Sequence, residues 1–269
     1  DHRDLHSFPT RRSSDLDKPM TNEETINKLI EMRLTTLAST FREQLKVPAM
    51  ASLSFEERLG ILVDTEWTSR KNNRLKKLIQ DARFDQPQAH VADINYSVRR
   101  KLDPSLISRL ASCTYIAEKH NVIIMGAAGS GKSFIGCALG MEACKQFYSV
   151  KYIRLPDMLT DLAIARGEGT IKKLLSQYQK VSLLIIDEWM LVALKESEAR
   201  DLLEIIHSRH KRSSTIFCSQ FAPVGWHAKI GEATLADAIL DRIVYDSYTI
   251  EIHNDEDEPS MREVYGIKN

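Results

Sequence analysis

Residues 122–133 read VIIMGAAGSGKS, and this stretch decides the fold. Its first four residues are apolar, which predicts a strand, and its last eight fit G-x-x-x-x-G-K-[ST] ahead of a helical stretch. Glycines let backbone amides surround phosphate oxygens, and the positive end of the helix faces the same anion. We predict that Lys132 contacts the outer phosphates of ATP and that Ser133 offers its hydroxyl to Mg²⁺. The alternative is a chance glycine-rich turn. The predicted nucleotide-binding residues of this loop are Gly126, Ala127, Ala128, Gly129, Ser130, Gly131, Lys132, Ser133 and Phe134.

A second motif, LLIIDE, occupies residues 183–188. Four apolar residues before two acids predict a buried strand that delivers carboxylates to the sheet edge where ligands bind. Asp187 is expected to bind Mg²⁺ through its water shell, and Glu188 to orient the attacking water. Asp187 follows Lys132 by 55 residues, which leaves room for a helix, a strand and a helix between them. That topology predicts an extra strand between the two motif strands in the sheet. The alternative for Glu188 is a solvent-facing helix cap.

A later strand ends in two polar residues, Ser219 and Gln220. Either side chain could contact the γ-phosphate or the attacking water, so both are predicted to be nucleotide-binding. The alternative is that they are turn residues without a ligand.

Strand-like runs alternate with helical stretches after residue 89, which predicts an α/β domain with a mostly parallel five-stranded sheet. Residues 21–84 are instead helical throughout, with capping boxes predicted at Thr21/Glu24 and Ser54/Glu57. The chain is therefore divided into a helical domain (20–88), an ATPase domain (89–258) and a tail (259–269). Residues 1–19 have no periodicity, and we expect a non-native sequence or a disordered basic arm. The runs are Val122–Met125, Val150–Ile153, Leu183–Ile186, Thr215–Phe217 and Tyr248–Ile252.

The composition is that of an ordinary globular protein, with 43% hydrophobic and 28% charged residues. Lys plus Arg (37) equals Asp plus Glu (37), so net charge says nothing about partners. The four cysteines form no C-x-x-C pair, which argues against zinc and disulfides; Cys137 and Cys144 are expected in the core. No apolar run is long enough to span a membrane, and a cytoplasmic location is expected.

The stretch from Arg70 to Arg83 is locally basic. On a helix, Arg70, Arg74 and Lys77 form one stripe, with Lys71 beside it, and we predict contacts with the phosphates of double-stranded DNA. The alternative is a solvated basic face. A second basic group, Arg99 to Lys101, has the same two interpretations.

Two tryptophans, Trp67 and Trp226, could stack on bases. We expect both to be packed in a core or loop instead.

Taken together, these motifs resemble those of the IstB-like helper ATPases of bacterial insertion sequences. The resemblance covers nearly all of residues 20–269 and includes LLEIIHSRHKRSSTIFCSQ, GWHAKIGEATLADAILDRIV and PSMREVYGI in the right order. It implies an AAA+ core that hydrolyses ATP, self-assembles on duplex DNA and helps a partner transposase in DNA transposition.

The resemblance also implies roles for two arginines. Arg242 looks like an arginine finger that reaches a neighbour's ATP, the alternative being a surface arginine paired with Asp241 or Asp237. Arg262 is a weaker second-sensor prediction. A helicase loader of the DnaC type and a nucleotide-gated DNA scaffold remain alternatives, although Glu188 favours turnover.

Overall fold

The computed structural model describes residues 21–97, 100–253 and 261. The chain divides into two compact units, the first ending at Asn73 and the second beginning at Arg74. In the first unit, α1 (Asn22–Glu31) and α2 (Thr35–Gln44) precede a short 3₁₀ turn (Pro48–Ser52). A long helix follows, α3 (Phe55–Ala82), and the division between the units falls inside it.

Both predicted capping boxes are present. The Thr21 hydroxyl accepts from the Glu24 amide, and the Glu24 carboxylate accepts from the Thr21 amide. Ser54 and Glu57 make the same reciprocal pair at the start of α3. Each box satisfies backbone amides that have no partner within the helix.

The first unit differs from the sequence pattern in two ways. The apolar spacing from residue 26 to 37 predicts one helix, but Arg33 has φ of 60°, a left-handed conformation that ends α1 and allows α2 to start in a new direction. In the part of α3 that belongs to the first unit, the apolar face is also largely exposed: Leu62 is buried, whereas Phe55 and Val63 are exposed.

The last turns of α3 belong to the second unit. Leu75, Leu78, Ile79 and Ala82 pack in its core, together with Phe84 after the helix. The compact units therefore divide 15 residues before the expected boundary at residue 88, because these apolar side chains pack in the core of the second unit.

The second unit alternates helices and strands. After a 3₁₀ turn (Val91–Asp93), its elements are α4 (Pro104–Ala111), α5 (Thr114–Glu118), β1 (Asn121–Gly126), α6 (Lys132–Lys145), β2 (Val150–Arg154), α7 (Leu155–Gly167), α8 (Ile171–Lys180), β3 (Leu183–Trp189), α9 (Glu196–Arg209), β4 (Ser214–Ser219), α10 (Pro223–Ile230), α11 (Ala233–Val244) and β5 (Ser247–Ile252).

All five predicted runs are strands of one sheet with the order β2-β3-β4-β1-β5. Every neighbouring pair is parallel, and a further strand, β4, lies between the motif strands β1 and β3, as predicted. That strand follows both motifs in the sequence, whereas β2, the strand in the interval between the motifs, lies at the edge of the sheet. Apolar clusters cover both faces of the sheet. Cys137 and Cys144 of α6 are buried and free, which confirms the expectation that they pack in the core. Within the described residues, no helix is both long and apolar enough to cross a membrane.

Candidate nucleotide and metal site

A cleft of about 890 Å³ opens at the carboxyl edge of the sheet, above β1, β3 and β4. Three of the predicted groups meet there: the glycine-rich loop, the two acids after LLII, and Gln220. A fourth wall comes from the segment ahead of α4, through Gln86 and residues 93–95. Adjacent parallel strands end at the same edge, so residues distant in sequence share one pocket.

The glycine-rich loop has a backbone that requires its glycines. Gly129 and Gly131 have φ of 75° and 92°, which side chains with a Cβ rarely adopt. A Cβ on Gly126 would lie 2.7 Å from the Ser130 hydroxyl and 2.9 Å from the Ile252 carbonyl oxygen. Gly131 also forms the N-cap of α6, so the positive end of that helix points into the loop.

Lys132 folds across the loop that carries it. Its ammonium donates to the carbonyl oxygens of Gly126 (2.8 Å) and Ala127 (2.7 Å). Those two residues and the buried Ser130 do not line the cleft, whereas the other six predicted loop residues do. A phosphate in the cleft would compete with neutral carbonyls for this ammonium, and a charge-assisted bond to phosphate is the stronger one.

Asp187 and Glu188 both line the cleft, at an irregular end of β3. The pairing with β4 shifts register between Ile186 and Trp189, and Glu188 has φ of 54°. The Glu188 amide donates to Asp187 Oδ1 at 2.8 Å. This bulge interrupts the strand's alternation, so two consecutive acids can both face the ligand space. Glu188 Oε1 also lies 3.8 Å from a guanidinium nitrogen of Arg154.

The two polar residues after β4 occupy different environments. Gln220 is exposed and lines the cleft. Ser219 is completely buried; its hydroxyl donates to the Trp189 carbonyl oxygen and accepts from the Trp226 indole and the Phe221 amide. The geometry therefore favours Gln220 as the residue that contacts a nucleotide.

Arg100 is a cleft residue that the sequence pattern associated with DNA. It is only 3% exposed, and its guanidinium donates to the carbonyl oxygens of Ser130 in the loop and Asn95. A cation in a basic triplet with no helical periodicity gives no sign that it lies beside a phosphate-binding loop, so only the tertiary structure reveals this placement. Its neighbour Arg99 is outside the described residues.

Arg242 lies on α11 and does not line the cleft of its own chain. Its guanidinium donates to the Ala238 carbonyl oxygen in the same helix. Asp237, one of its expected partners, lies 3.3 Å from His227 instead. Arg262 is outside the described residues. Met261, which is described, donates its amide to the Gly129 carbonyl oxygen.

The predicted DNA-binding residues are all exposed. In the first unit, Arg70 donates to Glu66 and to the Arg33 carbonyl oxygen, and the Lys71 ammonium lies over the Trp67 ring. In the second unit, Arg74 stacks on Phe147, and Lys77 is a solvent-facing lysine. The expected packing is found for Trp226, which is buried, but Trp67 is 61% exposed.

The cleft has donors that suit magnesium. Mg²⁺ takes oxygen ligands and keeps several waters, so one hydroxyl and one carboxylate beside the nucleotide phosphates form an ordinary protein contribution. Ser133 and Asp187 supply such a pair, and both line the cleft. The residues present therefore fit the ion that the sequence predicts.

Comparison with known proteins agrees with this geometry. The family model described as IstB-like ATP binding protein matches residues 27–263. The chain belongs to this family. An insertion-sequence (IS1162) ATP-binding protein of Pseudomonas fluorescens is 42% identical over 75% of this chain and 87% of its own length. An insertion-sequence ATP-binding protein of Sinorhizobium fredii is 40% identical over 85% of this chain and 93% of its own.

Solved structures support the fold assigned to this IstB-like chain. A crystal structure of DnaI has a TM-score of 0.54 and 21% identity, covering 66% of this chain and 93% of its own. AMPPCP-bound DnaA from Aquifex aeolicus has a TM-score of 0.53 and 20% identity, covering 65% of this chain and 52% of its own. The second unit therefore shares the fold of these structures, and helices precede it as predicted.

Proposed function

We propose that this IstB-like protein is a helper ATPase of DNA transposition, which hydrolyses Mg²⁺-bound ATP in an oligomer assembled on duplex DNA. The observation that carries the proposal is the convergence of Lys132, Ser133, Asp187 and Glu188 on one cleft. A phosphate cradle alone would serve a binding protein. A second carboxylate beside the metal-binding one is what a hydrolase needs to activate water.

Each group has a distinct task in the proposed reaction. Lys132 leaves the loop carbonyls to neutralise the β- and γ-phosphates. Ser133 and Asp187 would hold Mg²⁺, which neutralises phosphate charge when bound. Glu188 orients a water for in-line attack and polarises it, and Gln220 contacts the γ-phosphate or that water.

The inter-subunit part of the proposal concerns Arg242. It lies away from its own cleft, so an effect on hydrolysis would have to come through a neighbour's ATP. DNA contacts are proposed for Arg70, Lys71, Arg74 and Lys77, with a transposase as partner and the cytoplasm as location. The support for transposition is the relationship to insertion-sequence ATP-binding proteins.

A helicase loader remains the second candidate because the fold is similar to that of DnaI. The two functions differ in their genetic neighbourhood. A transposase gene beside this one favours transposition, whereas a replication operon favours loading.

The decisive experiment compares ATP binding and ATP hydrolysis, with and without duplex DNA, in three proteins. The wild type should bind ATP and turn it over faster on DNA. Lys132→Ala should lose binding, and Glu188→Gln should bind normally but hydrolyse at least about 100-fold more slowly, the lower range for a lost general base. Normal turnover by Glu188→Gln contradicts the role assigned to Glu188. A wild type whose ATP binding does not depend on DNA and which does not hydrolyse ATP contradicts the proposed function.

A further inference from the structure

A tyrosine on the neighbouring strand contacts the predicted metal ligand. Tyr152 of β2 pairs with Ile185 in the β2–β3 register, two residue pairs before Asp187. Alternation along the strands therefore turns Tyr152 and Asp187 to the same face of the sheet. The Tyr152 hydroxyl donates to Asp187 Oδ2 at 2.7 Å, and both residues are buried.

The Asp187 carboxylate is thereby held at both oxygens. Oδ1 accepts from the Glu188 amide, and Oδ2 accepts from Tyr152. A tyrosine hydroxyl carries one hydrogen that it can donate. An ionised carboxylate can only accept, so the direction of the bond is fixed.

We propose that Tyr152 is a positioning residue for Asp187 that holds the carboxylate plane in the orientation needed for the hydrated magnesium ion. Protein donors engage one lone pair on each oxygen, and the other lone pairs remain available to a ligand in the cleft, which Asp187 lines. Groups that orient metal ligands in this way commonly contribute strongly to metal affinity. This inference rests on the proposed function only through the magnesium-nucleotide site, not through hydrolysis.

The test uses Tyr152→Phe, which removes one oxygen and leaves the packed ring. The matched control is Tyr178→Phe, on α8 in the other apolar cluster. Tyr178 is equally buried, and its pKa is raised by burial and by Asp161, but it does not line the cleft. The affinity for a fluorescent ATP analogue is measured across a Mg²⁺ titration and in EDTA, with circular dichroism to verify folding.

We expect the Mg²⁺ concentration that gives half of the increase in nucleotide affinity to rise by about tenfold in Tyr152→Phe. This is the lower range for loss of a group that orients a metal ligand. Affinity in EDTA should stay within about twofold of the wild type, and excess Mg²⁺ should restore tight binding, because only ligand orientation has been lost. Tyr178→Phe should match the wild type. A purely structural role for Tyr152 would lower affinity equally with and without Mg²⁺.

Two results overturn the inference: an unchanged Mg²⁺ midpoint in folded Tyr152→Phe, or a wild type whose nucleotide affinity does not depend on Mg²⁺. A shifted midpoint in a protein whose wild type fails to hydrolyse ATP would support Tyr152 as a positioning residue while contradicting the proposed ATPase function. The two proposals are therefore separable.

Discussion

The buried guanidinium of Arg100 donates a hydrogen bond to the carbonyl oxygen of Ser130 inside the glycine-rich loop. A second bond, to the Asn95 carbonyl oxygen at 2.7 Å, ties the loop to the segment that forms the opposite wall of the cleft. The side chain of Arg100, which lies before β1 in the sequence, therefore holds the glycine-rich loop in place.

The first prediction concerns this contact. Arg100→Ala should weaken ATP binding roughly ten- to a hundredfold, because hydrogen bonds involving a charged group contribute about 1.5–3 kcal/mol. Lys101→Ala removes an adjacent, exposed cation and should leave ATP affinity within about twofold, as surface charges contribute little. Equilibrium titration with a fluorescent nucleotide measures both. Equal ATP affinities of the two variants would mean that Arg100 is only part of a general basic patch.

The second prediction separates the two polar residues after β4. Ser219→Ala deprives the Trp189 carbonyl and the Phe221 amide of their partner. It should lower the free energy of unfolding by about 1–2 kcal/mol. Gln220→Ala should leave thermal stability unchanged yet reduce kcat by about tenfold or more at saturating ATP, if the residue contacts the γ-phosphate or the attacking water as proposed. Melting curves and steady-state kinetics would contradict this assignment if Gln220→Ala kept full turnover.

The sheet could be predicted from the sequence because short runs rich in β-branched and apolar residues alternate with helical stretches. The runs around Ile123 and Ile185 are buried on both faces, so they carry no alternation that could be misread. The position of β4 between β1 and β3 does not follow from the distance between the two motifs, because β4 comes after both of them in the sequence. Capping boxes were equally readable, since their hydrogen bonds are local.

Features set by tertiary contact were not readable. Arg33 adopts a left-handed backbone without glycine, so nothing in the sequence marks the break between α1 and α2. Arg100 and Tyr152 act on residues 30 and 35 positions away. Ser219 and Gln220 look alike as neighbouring polar residues, and the burial that distinguishes them depends on Trp226 of α10.

The third prediction concerns the DNA residues. Lys71→Ala and Lys77→Ala should each reduce the slope of log affinity against log salt by about 0.9 if the lysine contacts a phosphate. Arg70→Ala is a poor probe of DNA contact, because it also removes the bonds to Glu66 and to the Arg33 carbonyl and should destabilise the first unit. Salt titrations of duplex binding, with melting curves alongside, separate the effects. Unchanged salt slopes for both variants would indicate that Lys71 and Lys77 do not contact DNA phosphates.

The fourth prediction concerns the core packing of α6, the helix that follows the glycine-rich loop. A Cβ on Gly140 of α6 would lie 2.6 Å from the Phe84 ring and 2.7 Å from the Ile185 side chain. Gly140→Ala should therefore lower stability by about 1–3 kcal/mol through overpacking. At Gly167, in the last turn of α7, an added Cβ would meet no atom of the described residues within 4 Å, and Gly167→Ala should be neutral or slightly stabilising. Equal thermal stability of the two variants would contradict the close packing at Gly140.

The fifth prediction concerns Arg242 and a neighbouring subunit. Arg242 is absent from its own cleft, so its loss should leave ATP affinity intact. An arginine supplied to the transferring phosphoryl group raises the rate about 10³–10⁵-fold in related P-loop enzymes. Arg242→Ala should therefore bind ATP normally, assemble normally and hydrolyse it at least about 10³-fold more slowly. Wild-type activity should rise with protein concentration and with DNA that gathers subunits.

Mixing two inactive variants tests whether Arg242 acts across an interface. Arg242→Ala keeps Glu188, and Glu188→Gln keeps Arg242, so an interface of the right polarity between them restores both groups. With head-to-tail contacts and random mixing of equal amounts, about a quarter of the interfaces carry both intact residues, and turnover should return to roughly that fraction of the wild-type rate. Each variant alone, at the same total concentration and on the same DNA, is the control. A mixture that stays as inactive as its parts, while light scattering finds both variants in the same assemblies, would exclude action in trans and leave Arg242 as an arginine that bonds the Ala238 carbonyl within α11.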